Sequence, residues 1–145
     1  MSDTDLNLAT SDTPFFTLLG LETKAKCVRC IDGDSVHLVF NFNNKLWKWS
    51  CRLAGINTPE IRTSNLEEKE FGYKAKQKLE ELILNKIVQI KVSDLDKYGR
   101  LLVQIWNSEN KYINQFMIDQ KLALPYHGGR KSSFEEFKRR IEIKE

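Results

Sequence analysis

The sequence has no run approaching the roughly 18 consecutive apolar residues that a membrane-spanning helix needs, which argues against a membrane partner. It also lacks a basic segment ahead of its first apolar cluster. Phe15-Phe16-Thr17-Leu18-Leu19 follows an acidic stretch, so it does not read as an export signal and is expected to pack against the domain edge. Cysteine is scarce and odd in number (Cys27, Cys30, Cys51), which argues against a disulfide scaffold and fits an intracellular, cytoplasmic setting. Histidine is scarcer still. A zinc site on Cys27-x-x-Cys30 has only Cys51, His37 and His127 to complete it, and residues three apart on a strand point to opposite faces. Buried or half-buried free thiols are the expectation instead. Internal repeats and low-complexity segments are absent.

What is present is one domain's worth of chain: 145 residues, 41% hydrophobic and 30% charged, as in ordinary globular proteins. The net charge of +3 conceals an asymmetry. Residues 1–14 hold Asp3, Asp5 and Asp12 and no base. Setting those three aside leaves 23 bases facing 17 acids, a +6 body behind an acidic segment. Residues 1–14 are therefore read as a disordered acidic tail and 15–145 as a single domain, monomeric and mildly suited to a polyanion.

Strand signals dominate the first part of the domain. Trp47, Trp49, Cys51 and Leu53 alternate with Lys48, Ser50, Arg52 and Ala54, and Val36, Leu38, Phe40 and Phe42 alternate before them. Asn43-Asn44 between these runs signals a hairpin turn. A first strand over residues 24–31 leads into Asp32-Gly33-Asp34. Residues 55–66 form a loop, and Phe71, Ala75, Leu79, Leu82 and Ile83 mark one face of a helix over 67–84 that stops at Asn85. Two further strands follow, over 88–92 and 101–106. A second helix covers 112–121, and a third is opened by a capping box of Ser132 and Glu135. The order matches an α+β fold: a five-stranded, antiparallel OB-type β-barrel with three helices, one of them between the third and fourth strands.

Three segments carry candidate chemistry. Asp32-Gly33-Asp34 reads either as a plain turn or as a carboxylate pair. Asp34 shares the parity of Val36 and Leu38, so its carboxylate points to the apolar side and needs a cation or an arginine. In Arg52 to Glu60, Arg52 is either an exposed strand arginine or a phosphate ligand. Asn57, Thr58 and Glu60 crowd oxygen donors beside it, with Pro59 restricting Thr58. In Asp96-Lys97-Tyr98-Gly99-Arg100, the glycine is either a hairpin bulge or the pivot that brings a second guanidinium to the barrel mouth.

Taken together and in this order, the three segments resemble the staphylococcal nuclease family, over about residue 24 to the end of the chain. The resemblance implies a staphylococcal-nuclease-like fold and a Ca²⁺-dependent endonuclease, with Mg²⁺ or Mn²⁺ as other candidate metals. Such an enzyme cuts single-stranded DNA or RNA, or frayed duplex, with little sequence preference and leaves 3′-phosphates. It implies that Asp34, Asn57 and Thr58 bind metal, with Asp32 acting through water. It further implies that Glu60 is the general base and that Arg52 and Arg100 hold the phosphate. Lys97, Tyr98, Tyr126, Arg130 and Lys131 become candidate substrate contacts, Tyr126 standing where the family borders its nucleotide pocket with an aromatic. Asn57 departs from the pattern, since the family has an aspartate there, and one ligand charge is lost. The other reading is an OB-type nucleic-acid-binding module with weak or no catalysis.

Overall fold

The computed structural model describes residues 2–143. In chain order its first elements are α1 (Asp3–Asn7), β1 (Glu22–Cys30), β2 (Ser35–Phe42), β3 (Lys45–Leu53) and β4 (Ile56–Asn57). They are followed by α2 (Leu66–Ile83), β5 (Ile87–Leu95), β6 (Leu101–Trp106), α3 (Ile113–Asp119), β7 (Leu124–Pro125) and α4 (Phe134–Ile143). Alternating apolar residues on the long strands point inward and close a barrel in the order β1-β2-β3-β6-β5, the α+β architecture expected from the element order. Asn43 and Asn44 both take positive φ, the backbone a two-residue hairpin turn demands, and join β2 to β3 in an unbroken register.

Several expectations need correction. The barrel is not wholly antiparallel: β3 and β6 pair in parallel. An odd number of strands cannot close with alternating directions throughout, so one seam must be parallel. Helices number four among the described residues, because α1 forms inside the segment expected to be disordered, held by a capping box between Ser2 and Asp5. The last helix is capped by Ser133, whose hydroxyl accepts from the Glu136 amide, one residue beyond the expected Ser132 and Glu135. Phe15 and Phe16 stay largely outside the domain edge, Phe16 touching it only through an edge-on contact with the Phe42 ring at 5.6 Å. They are 97% and 74% exposed, and of that cluster Leu18 is the residue that reaches the core.

A bulge in β1 overturns the reading that Cys27 and Cys30 face opposite ways. The register shifts between Cys27 and Arg29, which resets the alternation and brings both thiols inside with their sulfurs 3.8 Å apart. Cys51 is buried as well, and all three are free.

Helix α2 covers one end of the barrel through Ala75, Leu79 and Ile83, and Phe71 turns toward Phe134 and Phe137 of α4. Asn65 caps its first turn and Asn85, in the left-handed region, ends it as expected. Buried Asn114 of α3 ties this end together. Its amide donates to the carbonyls of Ala54 and Val103 and accepts from the Ile105 amide, joining β6 to the chain that leaves β3. Among the described residues no helix is long and apolar enough to cross a membrane.

Candidate active site

The turn between β1 and β2 brings Asp34 inside, as its parity predicts, and Asp34 is 6% exposed. Register places Ser35 beside Arg52 on β3, so the turn and the arginine meet at the same barrel end. Arg52 is not the exposed strand arginine of the simpler reading. It is 7% exposed, and its Nη2 contacts Asp34 Oδ2 at 3.3 Å, the Ile56 carbonyl at 3.1 Å and Asn57 Oδ1 at 3.5 Å. The amide N–H of Thr58 donates to the same Asp34 oxygen at 3.1 Å. Asp32 accepts from the Asp34 amide at 3.1 Å. The structure therefore gathers Asp32, Asp34, Arg52, Asn57 and Thr58 into one network.

Arg100 joins that network through a residue the sequence reading passed over. Ser35 donates to Asp34 Oδ1 at 3.3 Å and accepts from Arg100 Nη1 at 3.3 Å. Its signal was its position, directly after the acidic turn. Arg100 is also held by Asp96, whose carboxylate accepts from Arg100 Nε at 2.7 Å and from the amides of Tyr98 and Arg100. Burial works against charge on Asp96, but the amide and guanidinium of Arg100 outweigh it and hold the carboxyl below its usual range. Gly99, at positive φ, lets the hairpin turn back tightly enough for this clasp.

Both arginines line a cleft of about 790 Å³ on the outside of the β3–β6 seam. Tyr126 covers Arg52, ring centre to guanidinium carbon 5.1 Å, and Tyr98 flanks Arg100 at 5.8 Å. Lys97 and Lys131 complete its basic rim. Tyr126 is positioned by the short β4–β7 ladder and by a bond from its amide to the Gly55 carbonyl. Arg130 is exposed and does not line the cleft. Glu60 stands apart from the Asp34 network, with its side chain 53% exposed and paired with Lys131 at 3.6 Å.

Gly33, expected only as a turn residue, and Gly72, which the helical pattern leaves without a role, set the spacing of these parts. A Cβ on Gly33 would lie 2.6 Å from Ala75 Cβ and 2.9 Å from Thr58 Cγ2. One on Gly72 would lie 2.9 Å from the Pro59 carbonyl and 3.1 Å from that of Glu60. Helix α2 thus presses on both the acidic turn and the Thr58-Pro59-Glu60 loop. The only signal was a lone glycine inside a helical pattern. Gly33→Ala is expected to destabilise the protein by about 1–3 kcal/mol, because the helix backbone must move aside. An unchanged thermal midpoint would contradict this close approach.

Asp32 carries the most informative charge. Burial first, then hydrogen bonding with Asp34 and its charge, push the Asp32 carboxyl up to about 7 from 3.8. A raised folded-state value means the native state holds the proton more tightly than the unfolded chain. The stabilisation is complete below about 3.8 and is lost as pH rises to about 7. In chelator, Asp32→Asn should therefore gain stability relative to the wild type across that window and hold a constant advantage above it. Thermal midpoints of the two proteins that stay parallel from pH 4 to 8 would contradict the assignment.

A buried carboxylate beside a half-buried one, two guanidiniums and flanking tyrosines are the parts a phosphodiester-cleaving site needs. The sequence model of the staphylococcal nuclease homologue family matches residues 50–143. The chain belongs to the staphylococcal nuclease family. The family match begins at Ser50, so the Asp32–Asp34 turn lies ahead of it. An uncharacterized protein of Methanocaldococcus jannaschii is 37% identical over 110 residues, 61% of this chain and 51% of that protein. An uncharacterized endonuclease of Escherichia coli O157:H7 is 25% identical over 75% of this chain and 65% of its own length. Micrococcal nuclease of Shigella flexneri is 27% identical over 71% of this chain and 58% of that enzyme. The chain thus spans between about half and two thirds of these relatives.

Proposed function

We propose that this staphylococcal nuclease family member is a metal-dependent endonuclease that hydrolyses single-stranded DNA or RNA, and frayed duplex, with little sequence preference. The observation that carries this reading is the state of Arg52. Its Nη2 makes all of its hydrogen bonds among the described residues, which leaves Nε and Nη1 for the oxygens of a phosphate in the cleft. Arg100 faces the same cleft from β6, so two fixed guanidiniums meet the charge that builds as a fifth oxygen joins phosphorus. Glu60 takes the proton of the attacking water. The new P–O bond forms as the bond to the 5′-oxygen breaks, and that oxygen takes a proton from solvent water, leaving a 3′-phosphate and a 5′-hydroxyl.

The residues fit a hard cation. Asp32, Asp34, Asn57 and Thr58 bring side-chain and main-chain oxygens to one network, the donor chemistry a hard cation takes. Ca²⁺ is the proposed ion, with Mg²⁺ or Mn²⁺ as substitutes; when bound, it neutralises charge on the phosphate oxygens. Asn57 contributes its amide oxygen without a charge. Asn57→Asp is expected to tighten Ca²⁺ binding without abolishing cleavage, as read by calorimetry. Unchanged affinity would remove Asn57 from the ligand set.

The test is incubation with single-stranded DNA and RNA in Ca²⁺, Mg²⁺, Mn²⁺ or chelator. Scission that chelator abolishes supports the enzyme. Retained binding with no scission in any metal makes the chain a binding module instead.

A further inference from the structure

The outer face of β3 does not stop at the cleft. Leu46, Lys48, Ser50 and Arg52 alternate outward along it, so the arginine of the cleft and the exposed hairpin end share one surface. Register widens that surface. Ser50 stands beside His37 of β2, which stands beside Arg29 of β1; Lys48 stands beside Val39, and Val39 beside Lys26. Lys24 extends the row along β1. Lys24, Lys26, Arg29 and Lys48 are exposed, and none of them forms an ion pair among the described residues. His37 registers the crowding of cations. Burial first, and then the charges of Lys48 and Arg29, hold its imidazole below the usual histidine range.

At the hairpin end the other face of β3 carries Trp47, which pairs in register with buried Phe40 and so lies opposite the cation row. Trp47 is 46% exposed, its Nε1 donates to the Phe42 carbonyl at 3.2 Å, and Lys45 sits 4.8 Å from its ring centre. A row of unpaired cations that continues outward from Arg52 is complementary to the phosphates of a flexible single strand. A bilayer headgroup surface would be matched by the cations but leaves their continuity with Arg52 without a purpose.

We propose that this face is a track for a single nucleic-acid strand that leaves the cleft at Arg52 and crosses β3, with Lys26, Arg29 and Lys48 taking phosphates. This rests on the reading of Arg52 as a phosphate-holding residue. Lys48 lies four strand residues from Arg52, roughly 13 Å away. A strand must therefore run several nucleotides past the cleft to use the track. Short oligonucleotides bind at the cleft alone.

The test compares fluorescence anisotropy of a labelled trinucleotide and a single strand of about 20 nucleotides, in chelator so that nothing is cut. The Lys26→Gln/Lys48→Gln protein should bind the long strand about tenfold more weakly, with the salt slope reduced by about 1.4, or 0.7 per lost phosphate contact. Its trinucleotide affinity should be unchanged. Trp47→Ala, on the opposite face of β3, should leave long-strand binding unchanged. Long-strand affinity that ignores the two lysine changes, that falls equally in Trp47→Ala, or that falls in step with trinucleotide affinity, overturns the track. So does binding to phosphatidylserine vesicles that depends on Lys26 and Lys48 with no effect on the long strand. Scission is scored separately in metal. A chain that never cuts yet binds the long strand through Lys26 and Lys48 loses the nuclease reading and keeps the track. A chain that cuts while long-strand binding ignores those residues does the reverse.

Discussion

Arg52→Lys is expected to lower the rate of strand scission by about 10²–10³-fold while the protein stays folded. A lysine on β3 can still place one cation near Asp34, so the buried carboxylate keeps a partner. What it cannot do is replace the planar fork. In the wild type, Nη2 is committed to Asp34, the Ile56 carbonyl and Asn57, and the other two nitrogens make no hydrogen bond among the described residues. An ammonium has one nitrogen for both tasks. Arg52→Ala is a different experiment, because it strips the partner from Asp34, which is 6% exposed; about 3–5 kcal/mol of stability should go with it. Comparing the two separates the arginine's chemical role from its structural one. A lysine variant that cuts within a few-fold of the wild type would show that the fork does not hold the phosphate.

Much of the frame around this arginine was legible because it depends on neighbours in sequence. Alternation along β2 and β3, the Asn43-Asn44 turn and the stop at Asn85 are local properties, and each is found where the pattern puts it. The burial of Asp34 followed from parity alone. What was not legible depends on partners distant in sequence. Gly33 and Gly72 look like ordinary turn and helix glycines until α2 is seen pressed against them. Ser35 becomes a bridge only once β6 delivers Arg100 to the other side of it. The bulge near Val28 had no sequence mark, and without it Cys27 and Cys30 face opposite ways. The parallel seam followed from counting strands around a closed barrel rather than from any residue.

Glu60→Gln is the second change with a large expected effect, about 10²–10⁴-fold in scission rate, the usual contribution of a positioned general base. The structure makes this a clean substitution. Glu60 is half exposed, and its pair with Lys131 at 3.6 Å is of the surface kind that contributes little to stability. Its backbone is fixed independently, because Gly72 of α2 packs against the Pro59 and Glu60 carbonyls, so a glutamine occupies the same place. Thermal midpoint and binding of uncut single strands in chelator should therefore match the wild type. Lys131 gives the pairing a further meaning, since it lines the cleft as well as holding Glu60. A phosphate that draws Lys131 into the cleft releases the carboxylate to accept a proton, which couples the base to substrate occupancy. Lys131→Met should then raise the affinity-independent rate less than it weakens substrate binding, seen as a larger change in KM than in kcat. Full activity in Glu60→Gln would assign proton removal to another group or to solvent hydroxide.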